Sequence, residues 1–389
     1  MFYNINSIFA PVAGVYVHIP FCKTRCVYCD FFSSVSMKNR RGYVDALCRE
    51  LALRKDYLRG QAIHTIYLGG GTPSQLTGEE LRLLFEAISS HYEVKNDFDQ
   101  EITLEANPDD LTTAYLKELR ELPFNRISIG VQSFHDKDLQ FLNRRHNATQ
   151  ALEAIERIKA AGFENISLDL MYGLPGQTLE EWQNNLQTAI QTGVRHISAY
   201  HLIYEEGTPL YRLLQQGQVA ECDEELSMLF FSEMIDRLTK AGFVHYEISN
   251  FALPGYLSRH NSSYWTGAHY LGVGPSAHSY DGKSRQWNVS SLPDYIKGIQ
   301  EGIIPAEREE IDPQTAYNDY VLTGLRTARG IDLDKIERDF GRDKRIYCEQ
   351  QAKRHLVSGT LQQENTGLFL SRKGIFLSDG IMSDLMFAP

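Results

Sequence analysis

The segment HIPFCKTRCVYCDF, residues 18–31, places three cysteines in one short loop. Cys22, Cys26 and Cys29 follow the spacing CxxxCxxC, and an aromatic residue, Tyr28, directly precedes the last of them. Three thiolates this close together can hold a metal centre, but they leave a four-site centre one ligand short. The segment therefore predicts a metal site with one position open for chemistry.

Zinc and an iron–sulfur cluster are the two alternatives for this segment. Structural zinc usually takes four ligands from two turns. Here one loop supplies all three cysteines, no second cysteine or histidine pair follows nearby, and His18 or Asp30 would complete a zinc site only at a poor spacing. Short-spaced cysteines commonly hold iron–sulfur clusters, and a four-iron cluster on three cysteines keeps one iron free for a substrate. A [4Fe–4S] cluster is therefore the favoured prediction.

The composition predicts a cytoplasmic globular protein. The chain has 389 residues, 42% of them hydrophobic, which is enough for two domains or for one α/β domain with an appendage. The formal net charge of -11 disfavours nucleic acid and anionic membranes as partners. Clustered free thiols indicate a reducing compartment. Residues 1–14 lack a signal-peptide pattern, and no apolar stretch reaches the ~20 residues of a membrane helix.

Short β-branched and apolar segments alternate with helical patterns in the first half of the chain. The predicted strands are residues 15–19, 65–68, 101–105, 126–130, 166–171 and 196–200. Thr77 with Glu80, and Thr178 with Glu181, form capping boxes at the starts of two predicted helices. Repeated strand–helix alternation predicts a parallel sheet with helices outside it.

Polar residues fall at or just beyond the carboxyl ends of three of these strands. They are Glu105, Gln132 and Asp169. In a barrel the carboxyl ends of the strands converge on one mouth. We therefore predict an α/β fold whose residues 1–220 form a partial, TIM-like (β/α)6 barrel.

The strand–helix rhythm changes after about residue 200. Residues 246–288 form an irregular region rich in glycine and aromatic residues, within a predicted α+β extension at 221–308. The stretch 305–313 begins and ends with proline, which predicts a hinge to the last module of the chain. Residues 309–389 have the pattern of three helices and two short strands, which predicts a winged-helix-like module. Its mixed charges form no basic face for nucleic acid.

The chain resembles the radical S-adenosylmethionine (SAM) superfamily, in which CxxxCxYC follows the first strand. In that family the three cysteines hold a [4Fe–4S] cluster, SAM chelates the fourth iron, and one electron cleaves SAM to a 5′-deoxyadenosyl radical. The run GGGTP, residues 69–73, follows one βα unit later, where the family contacts the methionyl amino group. The resemblance thus implies cluster ligands at Cys22, Cys26 and Cys29 and SAM contacts at Gly70, Gly71 and Thr72.

Further motifs extend the resemblance to the coproporphyrinogen oxidase-like branch of the superfamily. They are YVHIPFC, LEANPDD, GVQSF, FLNRRH and SLDLMYGLPGQ. By this resemblance the additional residues of the SAM pocket are Tyr16, Tyr28, Glu105, Gln132, Arg144 and Asp169. Arg144 suits the methionyl carboxylate, because a guanidinium pairs bidentately with it. Gln132 and Asp169 suit the ribose hydroxyls, and Tyr28 suits adenine.

The branch contains oxygen-independent coproporphyrinogen III oxidases and heme chaperones, and three features favour a chaperone. The oxidases have a further cysteine two residues after the third, where this chain has Phe31. They also carry a long N-terminal extension, whereas about fifteen residues precede Tyr16 here. Finally, His260 opens the run HNSSYW, which matches the HNxxYW motif associated with heme binding in the chaperones.

The resemblance implies heme as a further ligand. Imidazole is a common axial ligand of heme iron, which makes His260 the candidate, and His269 or His278 would supply a second ligand. Tyr264 and Trp265 would stack on the macrocycle. The alternative for His260 is an ordinary hydrogen-bonded histidine in an aromatic loop.

We therefore expect a cytoplasmic heme chaperone that passes heme to acceptor proteins and carries a cluster and SAM. The sequence leaves open whether the protein also contacts a membrane transiently or forms a homodimer. The alternative is an enzyme that decarboxylates two propionates of coproporphyrinogen III, and a nucleic-acid-binding regulator is a third class that the acidic charge disfavours.

Overall fold

Six parallel strands form the centre of the fold. The computed structural model describes residues 12–96 and 100–387, so most of the segment used for the signal-peptide prediction lies outside the described residues. The strands are β1 (Ala13–Ile19), β2 (Ile63–Gly70), β3 (Glu101–Ala106), β4 (Arg126–Gln132), β5 (Asn165–Tyr172) and β6 (His196–His201). Neighbours in sequence are neighbours in the sheet, and all their pairings are parallel. The six predicted strands are confirmed.

Helices follow these strands and pack their apolar faces on the sheet. They are α1 (Arg40–Leu53), α2 (Gly78–His91), α3 (Thr113–Arg120), α4 (Asp136–Phe141), α5 (Ala148–Ala160) and α6 (Leu179–Gln191). The predicted capping boxes are both present, because Thr77 and Thr178 each accept a hydrogen bond from the backbone N–H of the glutamate three residues later. Such caps stabilise a helix by about 1 kcal/mol each.

The sheet continues beyond both edges of this six-stranded unit. The added strands are β7 (Val244–Glu247), β8 (Asn250–Ala252), β9 (Tyr270–Val273), β10 (His278–Tyr280), β11 (Ser284–Asn288) and β12 (Ala306–Glu310), in a twelve-stranded sheet of order 12-11-10-9-1-2-3-4-5-6-8-7. β1 pairs with β2 and β9, and β6 pairs with β5 and β8. The six strands therefore form an open, partial barrel.

Two expectations about the second half of the chain were wrong. The region expected to be irregular, residues 246–288, contains four short strands and a helix. The stretch 305–313, expected to be a hinge, contains β12, which pairs with β11 over its whole length. These strands have only three to five residues, too few to show the alternation from which strands are predicted. The intervening helices are α7 (Pro209–Gln215), α8 (Glu224–Lys240), α9 (Arg259–Trp265) and α10 (Leu292–Gln300).

The last part of the chain has a hydrophobic core of its own. Its elements are α11 (Pro313–Leu325), β13 (Ile331–Asp332), α12 (Leu333–Phe340), α13 (Arg342–Ser358), β14 (Leu361–Glu364), β15 (Gly367–Leu370), α14 (Arg372–Ile375) and α15 (Ser378–Leu385). Tyr317, Val321 and Ile336 belong to this core, whereas Phe230 of α8 and Tyr295 of α10 share the core of the barrel. The domain borders at 220 and 308 and the winged-helix likeness stay predictions. In the described ranges no helix is long and apolar enough to cross a bilayer.

Candidate functional site

A cavity of about 430 Å³ opens at the carboxyl ends of the six parallel strands. The loop after β1 contributes the three clustered cysteines to its wall. The cavity also brings together the predicted SAM residues except Tyr16, namely Tyr28, Gly70, Gly71, Thr72, Glu105, Gln132, Arg144 and Asp169. These residues are far apart in sequence and meet because parallel strands end at the same mouth.

The cysteine loop has the side chains that a cluster requires. Cys22 is buried, Cys26 and Cys29 are half-buried, and all three are free thiols. Within the described part of the chain, no three histidine, cysteine or acidic side chains converge as ligands of a single metal ion. Zinc ligands must converge on one ion, whereas the cysteines of a cluster bind separate irons. The loop therefore fits a cluster better than it fits zinc.

Burial also sets the protonation of the cysteine loop. It raises the pKa of the Cys22 thiol, and it raises the pKa of Cys29 to about 11. Cys22 Sγ lies 3.4 Å from Thr72 Oγ1, which joins the loop to the GGGTP turn. Without metal, both thiols are therefore protonated at neutral pH.

Arg144 connects the cysteine loop to the strand ends. Its Nη1 donates to Cys26 Sγ at 3.3 Å, and its Nη2 donates to Asn107 Oδ1 at 2.6 Å and to the carbonyl oxygen of Gly130. The buried Nε atom has no hydrogen-bond partner in the described residues. A donor that is buried without a partner is unfavourable, and the positive charge of the guanidinium favours an anionic group in the cavity that Arg144 lines.

The glycine turn after β2 packs tightly against the end of β1. Gly70 has a φ of +108°, and a Cβ there would lie 2.6 Å from the His18 ring. A Cβ on Gly71 would lie 2.8 Å from the backbone carbonyl carbon of Pro20. In the structure, contacts within the protein already require these two glycines.

Asp110 supports the site from outside the cavity lining, and sequence analysis missed it. This buried carboxylate accepts hydrogen bonds from Lys23 Nζ at 2.7 Å, Ser74 Oγ at 2.8 Å, Gln75 Nε2 at 2.5 Å and Arg145 Nη2 at 3.1 Å. It thereby fastens the cysteine loop, the turn after β2 and the FLNRRH segment to one another. Its place just after a strand end, in LEANPDD, was the signal that could have identified it.

Two carboxyl groups of the cavity have raised pKa values. Glu105 accepts a hydrogen bond from Tyr67 Oη at 2.6 Å. Burial raises the pKa of Glu105 to about 7, and the nearby charge of Asp169 adds to the effect. Burial also raises the pKa of Asp169 to about 6, although the charge of Arg126 opposes it. Both groups therefore titrate close to neutral pH.

Gln132 has a backbone conformation that is unusual for a residue with a side chain. Its φ is +71°, and it lies at an irregularity where the register between β4 and β5 shifts after Gly130. Bulges of this kind redirect a side chain, and strained conformations of non-glycine residues occur often at functional sites. The bulge accounts for the position of Gln132 in the cavity wall.

A second cleft, of about 360 Å³, lies beside the first cavity. Asp30 and Phe31 line both and thus separate them. The second cleft is lined by Tyr16, His18, Asp30, Phe31, Phe32, Tyr264, Tyr270, Ser276 and His278. Tyr16 therefore lies in the neighbouring cleft and not in the cavity with the other predicted SAM residues. Its hydroxyl is 3.2 Å from His18 Nδ1.

His260 is buried, with both ring nitrogens within hydrogen-bond distance of a protein group. Nδ1 lies 2.9 Å from Thr65 Oγ1, and Nε2 lies 2.8 Å from the Tyr264 hydroxyl. The residue is 1% exposed, and burial lowers the pKa of His260 to about 3. Heme binding at His260 stays a prediction, and in the described conformation it would require the loss of one of these hydrogen bonds.

The other two candidate histidines lie in different surroundings. His269 Nδ1 is 3.0 Å from Gln61 Nε2, in a third cleft near the start of β1. His278 is exposed and lines the second cleft. Trp265, expected to stack on a macrocycle, is instead covered by the Arg326 guanidinium at 5.1 Å from its ring centroid.

Comparisons with known proteins agree with this architecture. The profile of the Radical SAM superfamily matches residues 16–189, and that of the HemN C-terminal domain matches residues 311–377. The heme chaperone HemW of Mycobacterium tuberculosis is 35% identical over 379 residues, which are 96% of this chain and 94% of that protein. HemW of Bacillus subtilis is 34% identical over 370 residues, which are 95% of this chain and 97% of that protein.

A solved structure matches over nearly the same extent. Coproporphyrinogen III oxidase (HemN) from Escherichia coli, a radical SAM enzyme, superimposes with a TM-score of 0.84 at 22% identity, covering 98% of this chain and 92% of that chain. At this identity the likeness establishes the radical SAM fold. The full-length similarity to the HemW proteins is the closer relationship in sequence, and this chain therefore belongs to the HemW family of the radical SAM superfamily.

Proposed function

We propose that this protein is a heme chaperone that binds heme and passes it to acceptor proteins. The observation that carries the proposal is the similarity of 34–35% to HemW proteins across nearly the whole of both chains. Phe31 supports it, because the oxidases of the branch have a cysteine at this position and the exposed phenyl ring here cannot replace a thiol.

The cofactors in this proposal are a [4Fe–4S] cluster and SAM, both in the first cavity. Cys22, Cys26 and Cys29 would hold the cluster, and the residues around them would hold SAM. When bound, the cluster would supply one-electron reduction. The chain itself contributes fixed groups: Arg144 places positive charge beside Cys26 and lines the cavity in which an anion would bind.

Coproporphyrinogen III oxidase is the second candidate. The observation that favours it is the superposition on HemN over nearly the entire chain. A shared fold does not transfer an activity, since activity depends on the groups in the site. At the position of the oxidases' further cysteine, this site has Phe31, a residue that is 62% exposed.

The proposed partners are heme and proteins that accept it, and the proposed location is the cytoplasm. Nucleic acid is not among these partners, because the chain is strongly acidic. Contact with a membrane surface and formation of a homodimer are compatible with the proposal, and neither is needed for it.

Two assays run side by side decide between the candidates. The reconstituted protein is given coproporphyrinogen III, SAM and a reductant without oxygen, and separately is loaded with heme and mixed with an apo acceptor protein. We expect heme transfer and no protoporphyrinogen. Clear formation of protoporphyrinogen would overturn the first proposal.

The cluster is tested by iron and sulfide analysis after anaerobic reconstitution. We expect one [4Fe–4S] cluster in the wild type and none in Cys22→Ala, because the loop then offers two thiolates. Cys222→Ala is the control, since this cysteine lies outside the cavity. Four irons retained in a variant lacking all three loop cysteines would contradict the assignment.

A further inference from the structure

We propose that Glu101 holds helix α9 in a closed position on the barrel and thereby controls the access of heme to His260. The inference rests on the proposed function, with His260 as the ligand of the heme iron, and it specifies how that site is controlled. It follows from the contacts that bury His260, from the way α9 is joined to the sheet, and from polar groups of α9 that lack partners in the closed position.

His260 cannot bind iron while α9 is closed. The residue is 1% exposed, its Nδ1 lies 2.9 Å from Thr65 Oγ1, and its Nε2 lies 2.8 Å from the Tyr264 hydroxyl. The imidazole also stacks on the Tyr67 ring, with the two ring centroids 5.0 Å apart. An axial ligand needs a free nitrogen lone pair that reaches the iron. Heme binding therefore requires a movement of α9 that frees a ring nitrogen.

Glu101 makes the hydrogen bonds that attach the first turn of α9 to the barrel. Its carboxyl group accepts from the backbone N–H of Arg259 at 2.9 Å, from that of His260 at 3.0 Å and from the Ser258 hydroxyl at 3.3 Å. Glu101 and Ser258 are both buried. Hydrogen bonds to a carboxylate are stronger than those between neutral groups, so this one side chain ties the start of the helix firmly to β3.

The strands beside Glu101 are shaped to receive His260. Gly14 of β1 lies opposite Thr65 of β2 in the sheet, and Thr65 lies opposite Glu101 of β3. A Cβ on Gly14 would crowd Thr65 Oγ1 and would lie 3.2 Å from His260 Nδ1, so glycine leaves the imidazole room to enter. Three neighbouring residues of the sheet thus fix the closed position: one bonds the helix backbone, one bonds the imidazole, and one makes space for it.

The helix is joined to the sheet in a way that allows it to move by itself. It connects β8, which pairs with β6, to β9, which pairs with β1, so its two ends lie at opposite edges of the six-stranded unit. Gly255 before the helix and Gly267 after it have φ values of +88° and +73°, and both are exposed. Backbone rotation at such residues, just outside an element, moves the element while the strands stay paired.

The closed position leaves some polar groups of α9 unsatisfied. Ser262 Oγ and Trp265 Nε1 are buried and have no hydrogen-bond partner within the described ranges. Buried polar groups without partners are unfavourable, and they regain hydrogen bonds when water reaches them. With seven residues the helix is also too short to be stable without tertiary contacts. The hydrogen bonds of Glu101 therefore oppose a tendency of this segment to open.

The test is a stopped-flow heme titration of the full chain, with hydrogen exchange of α9 followed by mass spectrometry. Glu101→Gln loses the charge and one acceptor oxygen, and Thr65→Val loses the contact with His260 Nδ1. Thr77→Ala is the matched control, because it removes the cap of α2 at a comparable cost in stability and leaves the contacts of α9 intact. Circular dichroism and urea unfolding check that each variant folds.

In the wild type we expect the heme-binding rate to level off as the heme concentration rises, because opening of α9 then limits the rate. Glu101→Gln should raise this limiting rate roughly tenfold, and the exchange rate of amides 262–265 by a similar factor. These amides make no bond to Glu101, so they report the opening of the helix and not the lost acceptor. Thr65→Val should raise both rates by a smaller factor, and Thr77→Ala should leave both unchanged.

The possible failures are distinguishable. Absence of heme binding by the wild type would refute the proposed function, and the role of Glu101 in heme access with it. Heme binding with unchanged limiting rates and unchanged exchange in folded Glu101→Gln and Thr65→Val would refute only the role of Glu101, and Thr65→Val alone decides if Glu101→Gln does not fold. A wild-type Soret band in His260→Ala would place the iron ligand outside α9 and would also overturn the inference.

Discussion

Replacing Asp110 with alanine tests whether one buried carboxylate positions the cysteine loop. Its four hydrogen-bond donors come from the cysteine loop, the turn after β2 and the FLNRRH segment. Alanine removes the acceptor of Ser74, Gln75 and Arg145 Nη2, although Arg145 keeps Asp109 through Nη1 and Lys23 keeps water. It also removes the connection among three chain segments. We expect the protein to fold less stably and to hold its cluster poorly.

The expected loss follows from the exposure of each partner. The Lys23 side chain is 53% exposed, so its pairing contributes at most about 1 kcal/mol. Arg145 is 15% exposed, and Ser74 and Gln75 are buried, so they would lose a charged acceptor in a poorly solvated site. Removal of one member of a buried ion pair typically costs about 3–5 kcal/mol. We expect this range for Asp110→Ala and roughly half of it for Asp110→Asn, which keeps one acceptor oxygen.

The measurement is urea unfolding of the metal-free protein, followed by iron analysis after reconstitution. Asp109→Ala is a matched control, because this neighbouring carboxylate pairs with Arg145 Nη1 at 2.6 Å but its side chain is 22% exposed. We expect a smaller loss for the control, about 1 kcal/mol. The reasoning is refuted if Asp110→Ala unfolds within about 0.5 kcal/mol of wild type and binds a full cluster.

Three further predictions concern stability and can be checked by urea unfolding. Because the pKa of Glu105 is raised to about 7, the native state binds its proton more tightly, so wild-type stability should fall as the pH rises from about 4.5 to 7. In Glu105→Gln the fall in stability over this pH range should be smaller by up to about 3 kcal/mol. If stability falls with pH as steeply in the variant as in the wild type, the raised pKa of Glu105 is contradicted. Gly70→Ala should lower the free energy of unfolding by about 2 kcal/mol or more than Gly162→Ala does. Gly162 is the control, because its φ is also positive but an added Cβ meets nothing there. Thr77→Ala should lower the free energy of unfolding by about 1 kcal/mol, whereas Thr77→Ser, which keeps the capping hydroxyl, should lower it much less. Equal losses in the two variants would argue against the cap.

The barrel could be predicted from the sequence because its signals are local. Each of its strands is a short apolar run, and the helix starts at Thr77 and Thr178 are marked by residues three positions apart. The strands of the extension could not be predicted in this way. Tyr270–Val273 becomes a strand because it pairs with β1, more than 250 residues earlier in the chain, and such an edge pairing leaves little pattern in a four-residue segment.

Some features of the candidate site could likewise be predicted from the sequence, and others could not. The cavity residues could be grouped from the sequence because the carboxyl ends of parallel strands must meet. Tyr16 falls in the neighbouring cleft because side chains alternate along a strand, and Tyr16 shares the face of His18. The surroundings of His260 could not be foreseen, since its partner Thr65 is 195 residues away in sequence. A histidine motif alone does not distinguish a ligand from a satisfied core residue.

The boundary formed by Asp30 and Phe31 has a thermodynamic consequence. Two ligands on opposite sides of the same two residues are energetically linked whenever either one shifts that loop, and such linkage is reciprocal. If occupancy of the first cavity tightens binding in the second cleft by some factor, occupancy of the second cleft must tighten binding in the first cavity by the same factor. Emptying either one would then favour release from the other. Phe31 thus lies where the two occupancies can be coupled.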